Sequence, residues 1–328
     1  MATSLASDFK VYDTQFQSGL TETLTQDTNA FNAASAGALT YVTAELLGNY
    51  RRKAFLQQIA NVVSRRDATS VSAASGIAPT QAEMVNVKIK RKIGPVESTL
   101  DALRAIGTDQ RAFSFLLGEQ IAKAQAADAL NSSLTAVVAA LAGLSGANAT
   151  LNDISSGSPG TMTHDALAGA LSKMGDAQAS VRCWVMHSKV YFDLMRAAIA
   201  DKIANVADVT IYGGSPGTFN RPVIVTDSAS LVVSGSPDTY HTLGLVEAGG
   251  IINLVETPTI EAQTITGLEN LVLRMQGEYA LELGVKGFAW DVTNGGANPT
   301  AGALGTSTNW DRVAADKKLC AGCRVLSK

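Results

Sequence analysis

Histidine and cysteine are scarce in this chain of 328 residues, with three of each. His164, His187 and His241 stand far apart in the sequence, and no G-x-S-x-G elbow surrounds any of them. His187 and Ser188 are neighbours, but adjacency along a chain does not make a nucleophile face its base. No catalytic residue and no cofactor site is expected. Cys183, Cys320 and Cys323 form an odd set, which excludes a scaffold built on paired disulfides. Cys320-Ala-Gly-Cys323 has the spacing of half a zinc site, yet no second pair or paired histidine accompanies it, so no metal is expected and the cysteines read as simple thiols.

Charge is also thin. Only 17% of residues are charged, and 26 Lys and Arg stand against 29 Asp and Glu, a net charge of −3. That balance argues against a protein whose task is gripping phosphate backbones, which needs a basic surplus to release counterions. The lysines of 88 to 92, with Arg91, lack the interleaved aromatics of a single-strand binding platform. Long apolar runs are missing: Leu134 to Leu144 is too short to cross a bilayer, and MATSLASDFK does not read as a secretory signal. A soluble protein made in a cytoplasm is expected. The glycine loops at Gly213 to Gly217 and Gly295-Gly296 lack the order that cradles phosphates, and no calcium loop occurs. Glu269, Glu278 and Glu282 read as a solvated or interface face rather than an acid and base pair.

What is present is a mixed α and β pattern. Residues 2 to about 40 are rich in Ser, Thr, Asn, Gln and Ala, with anchors at Phe9, Tyr12, Phe16, Leu20, Leu24 and Phe31, the composition of an extended arm. A short helix is expected from about Leu39 to Leu47. Met84 to Ile93 alternates Val85, Val87 and Ile89 with Asn86, Lys88 and Lys90, a strand with one wet face inside a projecting two-stranded loop over 64 to 95. Its exposed lysines would keep that edge from pairing indiscriminately.

From Asp109 to Leu144 the apolar residues recur every three or four positions, from Phe113 through Ile121, Leu130 and Val137 to Leu141, which predicts one helix of about 50 Å. Thr163 reads as the cap of a helix reaching about Ala179, Cys183 to Met186 as a buried strand, and Ser188 as the cap of a further helix. Phe219 to Asp227 reads as a strand, and Tyr240 to Val255 as two strands broken at Gly249-Gly250. Strand-like stretches lie around Leu271 to Arg274 and Tyr279 to Phe288.

In this order the parts resemble the major capsid proteins of tailed bacteriophages, the Hong Kong 97 fold. The residues that carry the resemblance are Ala30-Phe-Asn-Ala-Ala-Ser35, Cys183-Trp-Val-Met-His-Ser-Lys-Val-Tyr191, Asn220-Arg-Pro-Val-Ile-Val-Thr-Asp227, Gly249-Gly-Ile251 and Gly284-Val-Lys-Gly-Phe-Ala-Trp290. The resemblance implies an α+β chain with an N-terminal arm at 1–50 and a connecting segment with an extended β loop at 51–107. A spine helix would follow at 108–145, an axial domain at 160–255, and a peripheral β region with the C-terminal tail at 256–328. It implies a non-enzymatic coat protein that assembles as hexamers and pentamers into an icosahedral virion shell in the host bacterial cytoplasm. Its partners would be itself, a portal, scaffolding or decoration proteins and loosely held double-stranded DNA, with no membrane. The arm and loop would clasp neighbours through Phe9, Tyr12, Phe16, Phe31, Lys88, Lys90 and Lys92. Some family members crosslink a loop lysine to an asparagine of the next subunit, and Asn294 and Asn298 are the asparagines offered here, non-covalent burial being the default. An encapsulin-like compartment shell is the alternative on the same fold, and a soluble hydrolase using His187 or the carboxylates the alternative from another class.

Overall fold

The computed structural model describes residues 32–57, 62–63, 65–66, 69, 76–99, 110–203 and 218–328, apart from residues 34 and 268. Strand β1 (Leu39–Thr43) is followed by β2 (Tyr50–Leu56) and the long β3 (Gln81–Thr99). Helix α1 (Gln110–Ala142) comes next, then β4 (Leu151–Asp153), α2 (His164–Ser172), β5 (Val181–Met186) and α3 (Ser188–Ile203). The rest is mostly β: β6 (Val223–Val225), β7 (Val232–Val233), β8 (Thr239–Val246), β9 (Gly250–Ile265), β10 (Val272–Val285) and β11 (Phe288–Trp290). A one-turn helix α4 (Ala301–Leu304), β12 (Trp310–Arg312) and β13 (Gly322–Ser327) complete it.

Two large sheets result. The first runs β1-β9-β10-β3-β2 and the second β4-β13-β8-β5-β6, with β7 added beside β8. Helix α1 is the shared wall between them. From Ile121 to Leu130 buried and exposed positions alternate with the helical period, but from Ser132 to Leu141 it is buried almost all round, as a helix enclosed on two sides must be. One core joins Leu134, Val137 and Leu141 of α1 to Val87, Ile89, Leu254 and Leu281 of the first sheet and to Cys183, Leu243 and Leu245 of the second. The other face of the second sheet carries Trp184, Met186 and Val325 against Leu167 and Leu171 of α2 and Val190 and Leu194 of α3. Thr163 caps α2 as its sequence predicts, its hydroxyl accepting from the Ala166 amide. For α3 the cap is shifted by one residue: Ser188 is already helical, and His187 Nδ1 accepts from the Lys189 amide.

The structure revises four sequence expectations. Residues expected as a helix at Leu39 to Leu47 instead begin with β1, because Leu39 and Tyr41 are buried and the segment pairs in parallel with 250–254, where β-branched Thr40, Val42 and Thr43 suit a pleat. The hairpin expected at 64–95 is longer, since β2 pairs with residues 81–87 of β3. Strand β3 has no wet face at its centre, where Asn86 and Lys88 are buried as well as Val85, Val87 and Ile89. It is not an edge there either, lying between β10 and β2. Finally, Gly322–Ser327, grouped by sequence with 256–328, is an inner strand of the second sheet between β4 and β8. The expected loop at Gly213 to Gly217 lies outside the described residues.

The distal half of the first sheet is a three-stranded ribbon of β9, β10 and β3. Strand β1 covers β9 only at 250–254 and β2 covers β3 only at 81–87, so no described strand pairs with the outer edges beyond those points. Each open edge is broken where the register slips against β10, at Gly94-Pro95 on β3 and at Thr257-Pro258 on β9. A proline has no amide to offer a strand partner.

One buried group gives the second sheet a pH dependence. His241 on β8 is buried, its Nδ1 has no hydrogen-bond partner among the described residues, and its register places it beside Leu326, near the Arg324 guanidinium. Burial, then the positive charge of Arg324, lower its pKa from 6.5 to about 4. Because the unfolded chain binds this proton first, stability from this site is intact above pH ~6.5 and falls as pH drops toward ~4, by about 3 kcal/mol in all. Urea midpoints followed from neutral pH to about pH 4 are expected to fall less in His241→Gln than in the unaltered chain; parallel curves would refute the assignment.

Candidate assembly surfaces

β1 and β2 are opposite edge strands of the first sheet, so residues 44–49 must cross it. Helix α1 fills one face, and the crossing takes the other. Asn49 O accepts from the Lys88 amide at 2.9 Å, continuing the β2–β3 ladder, and on that face Arg51 Nη2 donates to Glu45 O at 2.7 Å. Beneath this strap lies a set of buried charges. Arg51 Nε donates to both oxygens of Glu282 at 2.8 Å, and Asn86 Nδ2 donates to Glu282 Oε1 at 2.7 Å. Glu282 is fully buried, and among the described residues these donors hold its charge. Lys88 is buried too and pairs with Glu256. The root of the β2–β3 hairpin is thereby fastened across three strands.

On the α1 face a second polar cluster joins helix to sheet. Asp128 Oδ2 accepts from Arg91 Nε at 2.9 Å and from the Tyr279 hydroxyl at 3.0 Å, while Arg91 Nη2 donates to Ser132 Oγ at 2.9 Å. The nearby Tyr41 hydroxyl is buried with no hydrogen-bond partner among the described residues; burial and the Asp128 charge push its pKa up to about 12.

Beyond this fastened root the hairpin is conspicuously apolar outside. Phe55, Leu56, Val62 and Ile77 are exposed, Val63 is 92% exposed, and Leu47 on the strap is 98% exposed. Arg65 and Arg66 lie among them, both exposed. The ribbon's face away from α1 carries an open polar groove of about 730 Å³, lined by Lys90, Lys92, Thr259, Glu261, Gln276 and Glu278 among others. Lys92 lies directly across from Glu278 in the ladder, yet among the described residues neither is in an ion pair, and neither is Lys90 or Glu261.

A hairpin fastened at its root, with exposed apolar residues along its described flanks, stands beside a long helix walled by two sheets. The family of major capsid protein 13-like proteins (Gp13-like) matches residues 8–324. The chain belongs to this family. This capsid protein also shares its fold with phage capsids of known structure. The capsid of Helicobacter pylori bacteriophage KHP30 superposes at a TM-score of 0.52 over 89% of this chain and 88% of that one, with 8% identity. A chain of Microbacterium phage Oxtober96 gives 0.51 over 77% and 84%, with 11% identity. The capsid of Ralstonia phage GP4 gives 0.50 over 89% and 87%, with 12% identity. No curated protein matches. The fold is the Hong Kong 97-like α+β fold, and the protein is a capsid shell component of the virion.

Of the sequence-derived interface residues of this capsid protein, Lys90 and Lys92 are exposed in the groove. Lys88 is not available: it is buried under the strap and neutralised by Glu256, a correction forced by the strand's central position. Phe9, Tyr12, Phe16 and Phe31 lie outside the described residues. Asn298 and Asn294 are both tied within the chain, Asn298 Oδ1 accepting from the Lys90 amide at 2.8 Å and Asn294 Nδ2 donating to Asp291. Glu269 and Glu278 are exposed, whereas Glu282, read from sequence as part of a solvated or interface face, is the most buried acid of the sheet.

His187 has an acid near it, with Nε2 3.6 Å from Asp227 Oδ1, and its ring packs on Tyr240. The Ser188 hydroxyl, however, bonds the Asp227 carboxylate, which holds that carboxyl below its usual range. The arrangement fastens the start of α3 to the end of β6. The three cysteines are free thiols and all are buried. Burial pushes Cys183 and Cys323 up to about 12 and Cys320 up to about 11, and among the described residues no cluster of three or more metal-ligating side chains forms.

Proposed function

We propose that this chain is the coat subunit of a tailed phage, assembling as hexamers and pentamers into an icosahedral shell around double-stranded DNA. The observation that carries the reading is the family match over 8–324 on a chain whose β2–β3 hairpin exposes Phe55, Leu56, Val62, Val63 and Ile77. Exposed apolar side chains clustered along one element are costly on a monomer and are covered in an assembly. The subunit performs no chemistry of its own. It is assembled in the bacterial cytoplasm, meets a portal and scaffolding or decoration proteins there, and touches the packaged DNA without sequence preference. The span 160–255 serves as the axial domain and the ribbon with α1 as the peripheral one. The arm with Phe9, Tyr12, Phe16 and Phe31 clasps neighbours, as does the hairpin.

The hairpin of one copy seats on the groove of the next, where the unpaired carboxylates of Glu261 and Glu278 meet Arg65 and Arg66, and Lys90 and Lys92 face acids of the neighbour. The test is a charge exchange read by electron microscopy and sedimentation. Closed particles are expected from the unaltered chain, alone or with its scaffold. Arg65→Glu/Arg66→Glu and Glu261→Lys/Glu278→Lys are each expected to stop closure, and their combination to restore it. A monomer under all conditions would overturn the shell reading; closure in both charge variants would overturn only this contact.

A further inference from the structure

Asn294-Gly295 is the only Asn-Gly pair in the sequence. Such a pair carries its own reaction. The glycine amide nitrogen loses its proton and attacks the asparagine Cγ, ammonia leaves, and water opens the resulting succinimide to aspartate or isoaspartate. The second residue cannot be changed freely here. A Cβ on Gly295 would lie 2.2 Å from Cζ2 and 2.4 Å from Cε2 of Trp290, a buried ring whose Nε1 donates to Gly296 O at 2.9 Å. The loop is wrapped on the indole so closely that only glycine fits.

The reacting atoms are all engaged by one residue. Asp291 Oδ1 accepts from the amides of Thr293 at 2.7 Å and Asn294 at 3.1 Å, and Oδ2 accepts from Asn294 Nδ2. The Gly295 amide donates to the Asp291 main-chain oxygen at 2.9 Å, closing a single α-turn. The attacking nitrogen would have to give up this bond to lose its proton, and the leaving amide is held by its own N–H. The carboxylate is occupied with other donors, so it is not placed as the base for Gly295, and its charge opposes the anion that forms during attack.

We propose that Asn294-Gly295 is a latent deamidation site that packing against Trp290 imposes on the chain, and that the Asp291 turn holds it unreactive. Opening the turn would add a carboxylate in place of the amide, and the isoaspartate form would lengthen the main chain by one carbon. Four residues on, Asn298 is the side chain that accepts from the Lys90 amide, so the change would be transmitted to the edge of β3. The hydrogen bond from the Asn294 amide, helped by those from the Thr293 amide and the Asn294 side chain, holds the Asp291 carboxyl below its usual range, so the guard stays charged in mild acid.

The test follows Asn294 by peptide mapping and isoaspartate-specific methylation in mildly alkaline buffer, on the folded full chain and on the same chain in urea. Conversion in the folded chain is expected to be slower by about tenfold or more, roughly 1.4 kcal/mol of added barrier. Folded Asp291→Ala is expected to approach the rate in urea. Equal rates in folded and urea-unfolded wild type would overturn the proposal without any variant, and so would an unchanged rate in an Asp291→Ala chain that still melts cooperatively.

Discussion

Replacing Gly322 by alanine is expected to prevent stable folding of the second sheet. The position lies in β13 opposite Leu245, at φ +146°, and an added Cβ would sit 1.9 Å from the Gly244 carbonyl oxygen and 3.2 Å from Leu245 Cα. Both obstacles are backbone of the neighbouring strand, so no rotamer change relieves them. Either β13 separates from β8 or the ladder shifts, and β13 carries Val325 and Cys323 into the core shared with α2 and α3. Strain at such a φ costs about 1–3 kcal/mol and forced overpacking about as much again. For a protein with roughly 5–15 kcal/mol in hand, soluble yield should collapse or the urea midpoint fall sharply. A midpoint within experimental error of the unaltered chain would mean that β13 does not pack as described.

The second large effect concerns Glu282. Arg51→Ala strips the guanidinium whose Nε–H both Glu282 oxygens share, leaving among the described residues the Asn86 amide beside a buried carboxylate. Breaking such a pair on one side costs about 3–5 kcal/mol, with the lower end expected here because Arg51 itself is 26% exposed. Adding Glu282→Gln removes the stranded charge, so the double variant should be more stable than Arg51→Ala by about 1–3 kcal/mol. Chemical denaturation of the two single variants and the double one measures this coupling. If the two effects simply add, the carboxylate is not held as the geometry states. Because the strap and the hairpin root share this pair, Arg51→Ala should also loosen 44–49 and 50–56 in hydrogen exchange.

The helix of 33 residues and the break at Gly249-Gly250 were legible because their signals are local. Periodicity over Phe113 to Leu141 needs no knowledge of what covers the helix. The environment of β3 was not legible for the opposite reason. Alternation of Val85, Val87 and Ile89 with Asn86 and Lys88 is what a half-solvated strand would show. What buries the polar side is a strap and two acids, Glu256 and Glu282, which lie 168 and 196 residues beyond Lys88 and Asn86. The strand at Leu39 was missed similarly, its only partner in the ladder being the start of β9. The tail strand β13 is short and ordinary in composition, and only its two neighbours reveal it as central. The hairpin was visible as a candidate clasp, but which lysines it exposes was a question of tertiary burial.

The two proline-broken edges of the ribbon have a further bearing on assembly. Subunits packed side by side face one another at concentrations far above those in free solution, where any uninterrupted strand edge would recruit its neighbour at whatever register came first. Pro95 and Pro258 interrupt those edges at opposite sides of β10. A growing shell is left without an easy route into disordered fibre, and errors in docking stay reversible until the correct side-chain contacts are made.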